Sequence, residues 1–153
     1  MNLKKYLYEI YGAFLSLVFG MISAIKMNSE KKIWYSDLIK SEFNPPDYFF
    51  KIAWIILYLM IGIVIGNLYR NKKKNIQKIK LFFIQFVLNI SWSTIFFQFH
   101  QIGLALINIF LILIFTLIFT FKLEKRNLIL LMIPYILWLT FAAYLNYQIY
   151  INN

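Results

Sequence analysis

The sequence predicts an all-α membrane protein, one domain spanning 1–153 built as a bundle of five transmembrane helices with a folded loop between helices 1 and 2. Three observations predict it. Of the 153 residues 61% are hydrophobic and 20% aromatic against 14% charged, whereas a soluble domain averages near half apolar and a quarter charged. The charges, sixteen Lys and Arg against six acids, are bunched. Between the bunches run uncharged stretches that reach the roughly 20 residues of helix needed to cross a bilayer core of about 30 Å. A water-soluble globule of this length cannot hide so much apolar surface. Continuous apolar runs, without ten-residue alternation, disfavour a β-barrel.

Helix 1 covers about 6–26. Its uncharged run is Ile10 to Ile25, lengthened by an interfacial turn from Tyr6 to Glu9 and flanked by Lys4, Lys5 and Lys26. A cleaved signal peptide is the competing reading; Glu9 inside the segment, its length and the lack of a clear small-x-small site before Lys26 disfavour it. Helix 2 covers about 48–69. The next uncharged stretch, Leu81 to Phe121, is forty-one residues long, about twice one crossing. It has to reverse at the polar cluster Gln98, His100, Gln101 and Gly103, which yields helix 3 over about 79–99 and helix 4 over about 102–122. Helix 5 covers about 127–150.

Basic residues orient the bundle. Lys4, Lys5, Arg70, Lys72, Lys73, Lys74, Lys78, Lys80, Lys122, Lys125 and Arg126 fall on one side, against Lys26, Lys31, Lys32, Lys40 and Lys51 on the other. The positive-inside rule then places the N-terminus in the cytoplasm and the C-terminus outside, in a membrane whose best match is a bacterial plasma membrane. The run from Arg70 to Lys80 is a topology signal touching anionic headgroups, and no nucleic-acid partner is expected. The first loop, roughly Met27 to Pro46, is longer than a mere connection and contains Trp34, Tyr35, Leu38 and Phe43. It is expected to fold as a cap over one end of the bundle, closed by Pro45 and Pro46, with Asp47 as N-cap of helix 2.

Polar and aromatic residues recur at helical spacing. Helix 3 carries Gln85, Asn89, Trp92 and Phe96 on one face; helix 2 carries Phe50, Trp54, Tyr58, Gly62 and Gly66; helix 5 carries Pro134, Trp138, Ala142 and Asn146, with Tyr135 beside them. Carboxamides in hydrocarbon are costly unless paired, so these faces point into the bundle or a cavity. Packing and interfacial anchoring explain such stripes in many membrane bundles. Three stripes that each hold a Trp within the span favour a flat aromatic pocket for a planar hydrophobic ligand. Gly12, Ser16, Gly20 and Ala24 form a row of small residues on helix 1 that permits close approach of another helix, within the bundle or across a homodimer, as do Gly62 and Gly66.

Chemistry is limited by what the chain lacks. With no Cys and one His, His100, thiolate nucleophiles and multi-His metal sites are excluded, and no acid lies within a span beyond Glu9. No catalytic residue, metal or required cofactor is assigned.

In order and spacing these residues resemble the translocator protein family, also called TspO/MBR or tryptophan-rich sensory proteins or peripheral-type benzodiazepine receptors. Trp34-Tyr35, Leu38, Lys40 and Pro45-Pro46 resemble its W-Y-x-x-L-x-K-P-x-x-x-P-P; Phe50, Trp54, Leu57, Tyr58 and Gly62 resemble F-G-P-x-W-x-x-L-Y-x-x-x-G. Gln85, Asn89, Trp92 and Phe96-Phe97, then Gly103-Leu104-Ala105, then Pro134-Tyr135, Trp138, Phe141-Ala142 and Leu145-Asn146 continue the likeness. The resemblance implies a five-helix receptor or sensor, often a homodimer, that binds a porphyrin or related tetrapyrrole, such as protoporphyrin IX or haem, beneath the first loop and takes part in its transport or regulation. Its implied ligand-binding residues are Trp34, Tyr35, Pro45, Phe50, Trp54, Tyr58, Asn89, Trp92, Phe96, Trp138 and Ala142. The alternatives are an enzyme of light-dependent porphyrin degradation acting through Trp and Tyr, and a structural subunit without ligand. The chain departs from the pattern at Ser41, at Lys51-Ile52 and at Asn108, where an acid is common. No basic residue follows Tyr147 or Tyr150 to complete a sterol pattern.

Overall fold

The computed structural model describes the backbone of residues 6–25 and 29–153 and the side chains of 6–22 and 33–153. Lys4, Lys5, Lys26 and the side chains of Ala24, Lys31 and Lys32 lie outside the described residues. Six helices form in chain order: α1 Leu7–Ile25, α2 Ser29–Asp37, α3 Asp47–Tyr69, α4 Lys72–Phe97, α5 Ile102–Phe121 and α6 Arg126–Asn152. Among the described residues α3, α4, α5 and α6 are long and apolar enough to cross a membrane, while the described apolar part of α1 spans the shorter Leu7–Ile22.

Going round the bundle, α1 packs on α3, α3 on α6, α6 on α5, α5 on α4, and α4 returns to α1. The outer face is apolar, with Phe14, Phe83, Val87 and Leu137 exposed, an arrangement that only lipid tolerates. The reversal falls at 98–101, where His100 takes a positive φ of 54°; Gly103 sits inside α5. The run from Lys72 to Lys80 is helical, so α4 starts well before the apolar boundary near 79 and only Arg70 and Asn71 separate it from α3. Hydropathy sees the edge of the hydrocarbon, whereas the backbone helix continues into the headgroup layer because lysine is a good helix former.

Two expectations about the first loop are amended. The loop contains a nine-residue helix, α2. Asp47 is the first residue of α3, whose N-cap is Pro46 without a side-chain hydrogen bond; proline's fixed φ supplies the entry conformation instead.

The small-residue rows of α1 and α3 face each other. A Cβ on Gly12 would overlap the Gly62 carbonyl and lie 2.9 Å from the Gly66 nitrogen, and one on Gly66 would press on the Tyr8 and Glu9 backbone. Gly20 instead receives the Tyr58 ring. The choice between intramolecular packing and a dimer is thus decided here for Gly12, Gly62 and Gly66, which serve the α1–α3 contact.

This contact is locked at one end by a buried carboxylate. Glu9 accepts two hydrogen bonds from Arg70 at 2.7 and 2.8 Å and one from Asn67 Nδ2 at 2.8 Å, and Lys125 Nζ donates to Asn67 Oδ1 at 2.9 Å. Glu9→Gln is expected to lower stability by about 1–2 kcal/mol, the worth of hydrogen bonds to a charged group discounted because Arg70 reaches water. Thermal melting in detergent checks it; an unchanged midpoint contradicts the lock.

Candidate functional site

Beneath the cap, a cavity of about 1130 Å³ opens between the helices. Nine of the eleven residues singled out from sequence line it: Tyr35 and Pro45 from the cap, Phe50, Trp54 and Tyr58 from α3, Asn89, Trp92 and Phe96 from α4, and Ala142 from α6. The helical period accounts for the grouping, since residues four apart in α3 and in α4 share a face. Trp54 stacks on Tyr58 with centroids 5.3 Å apart, and Trp92 on Phe96 at 5.0 Å.

Trp34 and Trp138 are placed behind this lining. Trp138 meets Phe50 and Trp54 edge-on at 5.7 and 6.3 Å, and its buried indole N–H has no hydrogen-bond partner. Trp34 stacks on His100 at 4.1 Å and meets Phe96 edge-on at 5.5 Å, pinning α2 to the reversal between α4 and α5. Further ties hold the cap. Asn153 exchanges two hydrogen bonds with the backbone of Ile39, at 3.0 and 3.1 Å. Ser41, where the family pattern has proline, lies 3.3 Å from the Tyr144 hydroxyl and accepts the Phe43 amide at 3.2 Å. Burial pushes the Tyr35 phenol up from its ordinary range, so it remains a protonated donor, toward Asn44 at 3.5 Å.

The floor of the cavity opens a chain of polar side chains that crosses the bundle. Tyr58 donates to Asn89 Oδ1 at 2.7 Å, Asn89 Nδ2 donates to the Tyr135 hydroxyl at 2.9 Å, and Tyr135 donates to Gln85 Oε1 at 2.9 Å. Thr116 donates to the same oxygen at 3.4 Å. Four helices are joined through groups that hydrocarbon would otherwise leave costly. Tyr135→Phe removes the link that both accepts and donates; about 1 kcal/mol of stability is expected to go, and a melting midpoint equal to that of the unaltered protein would contradict this. Above the chain, Trp92 Nε1 donates to Asn146 Oδ1 at 3.1 Å and Asn146 Nδ2 to the Ile102 carbonyl at 3.2 Å. The Trp92 indole N–H is therefore already engaged. Asn108 is likewise engaged, donating to the Leu88 carbonyl at 3.0 Å and to Ser91 Oγ at 3.3 Å.

Several lining residues were not among the eleven expected from sequence to bind a ligand. Gly20 and Met21 bring α1 to the wall, Ile109 and Ile112 bring α5, and Lys40 and Lys51 place charge at the rim. The small-residue row on α1 pointed to close packing, but nothing in it says that its far end faces a void. No group of three or more His, Cys, Asp or Glu that could hold a metal occurs among the described residues.

Helices of crossing length, an apolar outer face and an aromatic cavity under a folded cap define a helical integral membrane protein with an internal cavity. The chain belongs to the TspO/MBR family, whose model matches residues 12–151. The tryptophan-rich protein TspO of Archaeoglobus fulgidus is 32% identical over 157 aligned positions, covering 100% of this chain and 99% of its own length. Its counterpart of the same name in Chlorobaculum tepidum is 35% identical over 76% of this chain and 77% of its own length. The translocator protein of Ovis aries is 26% identical over 88% of this chain and 83% of its own.

Proposed function

We propose that this protein is a membrane receptor or sensor that holds a porphyrin or related tetrapyrrole, such as protoporphyrin IX or haem, in the aromatic cavity, and serves its transport or regulation. The observation that carries the reading is the cavity itself. Its volume of about 1130 Å³ lies just above the ~300–1,000 Å³ usual for small-molecule pockets, room for a large flat ligand. Its walls offer stacked rings, and aromatic faces favour offset or edge-on contact with a planar π-system. The names of relatives, a tryptophan-rich sensory protein and translocator proteins, agree with a sensing or translocating role.

In this reading α1 is the fifth crossing. Its 19 residues span about 28 Å at 1.5 Å per residue, close to the ~30 Å hydrocarbon core. The end carrying Arg70 and Lys72 to Lys80 faces the cytoplasm of a bacterial cell, and the cap faces outward. A homodimer, which the family likeness implies, forms through faces other than Gly12, Gly62 and Gly66, since these are used within the chain. The test is a thermal-shift comparison of free-base porphyrin, haem and sterols on protein in nanodiscs. Selective binding to the folded state raises the melting temperature; a porphyrin that leaves it unmoved removes the reading.

A second reading, light-dependent breakdown of the bound porphyrin, is favoured by one observation. Trp138, Trp54 and Tyr58 form a contiguous run of rings, 6.3 and 5.3 Å between centroids; such readily oxidised rings are suited to returning an electron to the ligand after its excited state has given one to dioxygen, the oxidant of the reaction. A discrete photoproduct that disappears in Trp54→Phe supports it, and bleaching identical in both proteins counts against it.

A further inference from the structure

Far from the cavity, at the opposite end of the bundle, a groove of about 420 Å³ is lined by Lys74, Ile76, Gln77, Lys78 and Lys122. Three lysines line it, Lys74 and Lys78 from α4 and Lys122 from just past the end of α5. One carboxylate offsets them: Glu124 lies 2.6 Å from Lys78 and 3.8 Å from Lys74. The hydrogen bond and charge of Lys78, aided by Lys74, hold the Glu124 carboxyl below its usual range, so it is ionised at neutral pH and the groove keeps a net positive charge. Lys122 is exposed and is not part of either ion pair with Glu124.

The groove also lies at a defined depth. Phe121, the last residue of α5, is 86% exposed, and Ile118 and Phe83 are exposed on the neighbouring turns. Exposed apolar side chains grouped in this way, on helices of crossing length, mark the part of the surface that faces hydrocarbon. The lysines lie beyond these side chains, Lys122 directly after Phe121 and Lys78 and Lys74 five and nine residues before Phe83, toward the headgroup layer, where each Lys or Arg favours an anionic lipid.

We propose that this groove is a binding site for an anionic phospholipid, with the phosphate held by Lys74, Lys78 and Lys122 and the acyl chains laid along Phe121 and Phe83. The observations set it apart from general attraction of a basic face to a charged membrane, because the site has a concave shape and draws its cations from two helices. Lys72 and Lys80 belong to the same basic run but do not line the groove.

The experiment counts lipid retained by the full chain in neutral detergent, by native mass spectrometry, during titration with phosphatidylglycerol or phosphatidylcholine. The unaltered protein is expected to prefer phosphatidylglycerol. The double variant Lys74→Gln, Lys122→Gln is expected to lose that preference by tenfold or more, at about fivefold per ammonium. Lys72→Gln, Lys80→Gln, which removes the same charge outside the groove, is expected to change it less than about threefold, because neither side chain lines the groove and an exposed charge without a direct contact is weakened by salt. The single exposed substitution Lys122→Gln, expected to fall about fivefold, serves if the double variant does not fold. Equal losses in groove and control variants would overturn the site, as would the absence of any phosphatidylglycerol preference. Displacement of the lipid by inorganic phosphate at millimolar concentration would assign the groove to the free anion and overturn the lipid.

Discussion

Trp54→Ala is expected to weaken porphyrin binding by about 2 kcal/mol, roughly thirtyfold, the scale of a buried aromatic anchor. Trp54 lines the cavity and is the ring on which the local stack is built: Tyr58 stacks on it at 5.3 Å with planes 28° apart, and Tyr135 and Trp138 meet it edge-on at 6.5 and 6.3 Å. Its removal takes away a wall of the cavity and loosens the rings behind it. Titrating protoporphyrin against the remaining intrinsic fluorescence gives the affinity. Ala142→Leu reaches the same end by another route, since Ala142 lines the cavity with the smallest side chain that has a Cβ and added methyl groups would occupy ligand space. Trp138→Ala is expected to have a smaller effect, because Trp138 supports Trp54 from behind. Affinity unchanged in both Trp54→Ala and Ala142→Leu would remove the pocket from the account.

Gly66→Leu is the second large effect, on stability and not on binding chemistry. A Cβ there would lie 2.7 Å from the Glu9 Cα and overlap the Tyr8 carbonyl, backbone atoms that cannot swing aside. Helix α1 must move off α3, and the Glu9–Arg70 pair at 2.7 Å goes with it. Overpacking at the high end costs about 3 kcal/mol, which lowers the melting temperature by about 6–12 °C for a chain of this size. The control is Gly103→Ala, whose Cβ meets only the edge of the Tyr150 ring at 3.0 Å; little change is expected. A further check uses non-additivity. Once α1 has moved away, Glu9→Gln should cost almost nothing more, and full additivity of the two would contradict the shared contact.

Much of this site was legible in one dimension. Asn89, Trp92 and Phe96 had to share a face because they are three and four apart, and a carboxamide among them had to point inward because lipid offers it no partner. Helix α3 could be treated alike, from Phe50 to Tyr58. Spacing did not reveal depth: Trp34 and Trp138 carry the same indole as Trp54 yet stand behind the lining, a difference set by helix rotation and by neighbouring bulk. Tyr135 shows the same limit. It lay beside a stripe in the sequence and is fully buried at the centre of the polar chain, where its hydroxyl joins Asn89 to Gln85.

The amino-acid sequence by itself determined that this chain is helical and belongs in a membrane, because hydropathy and charge act residue by residue and sum along a segment. It also determined which residues share a helical face, since that follows from the 3.6-residue period alone. Only the tertiary structure decided which glycines press together, which indoles face the cavity, that Glu9 pairs with Arg70 sixty-one positions away, and that Lys74, Lys78 and Lys122 meet around one groove. Those are relations between helices, set by how far each rotates and how closely its small residues let the next one approach, and no local pattern carries that information.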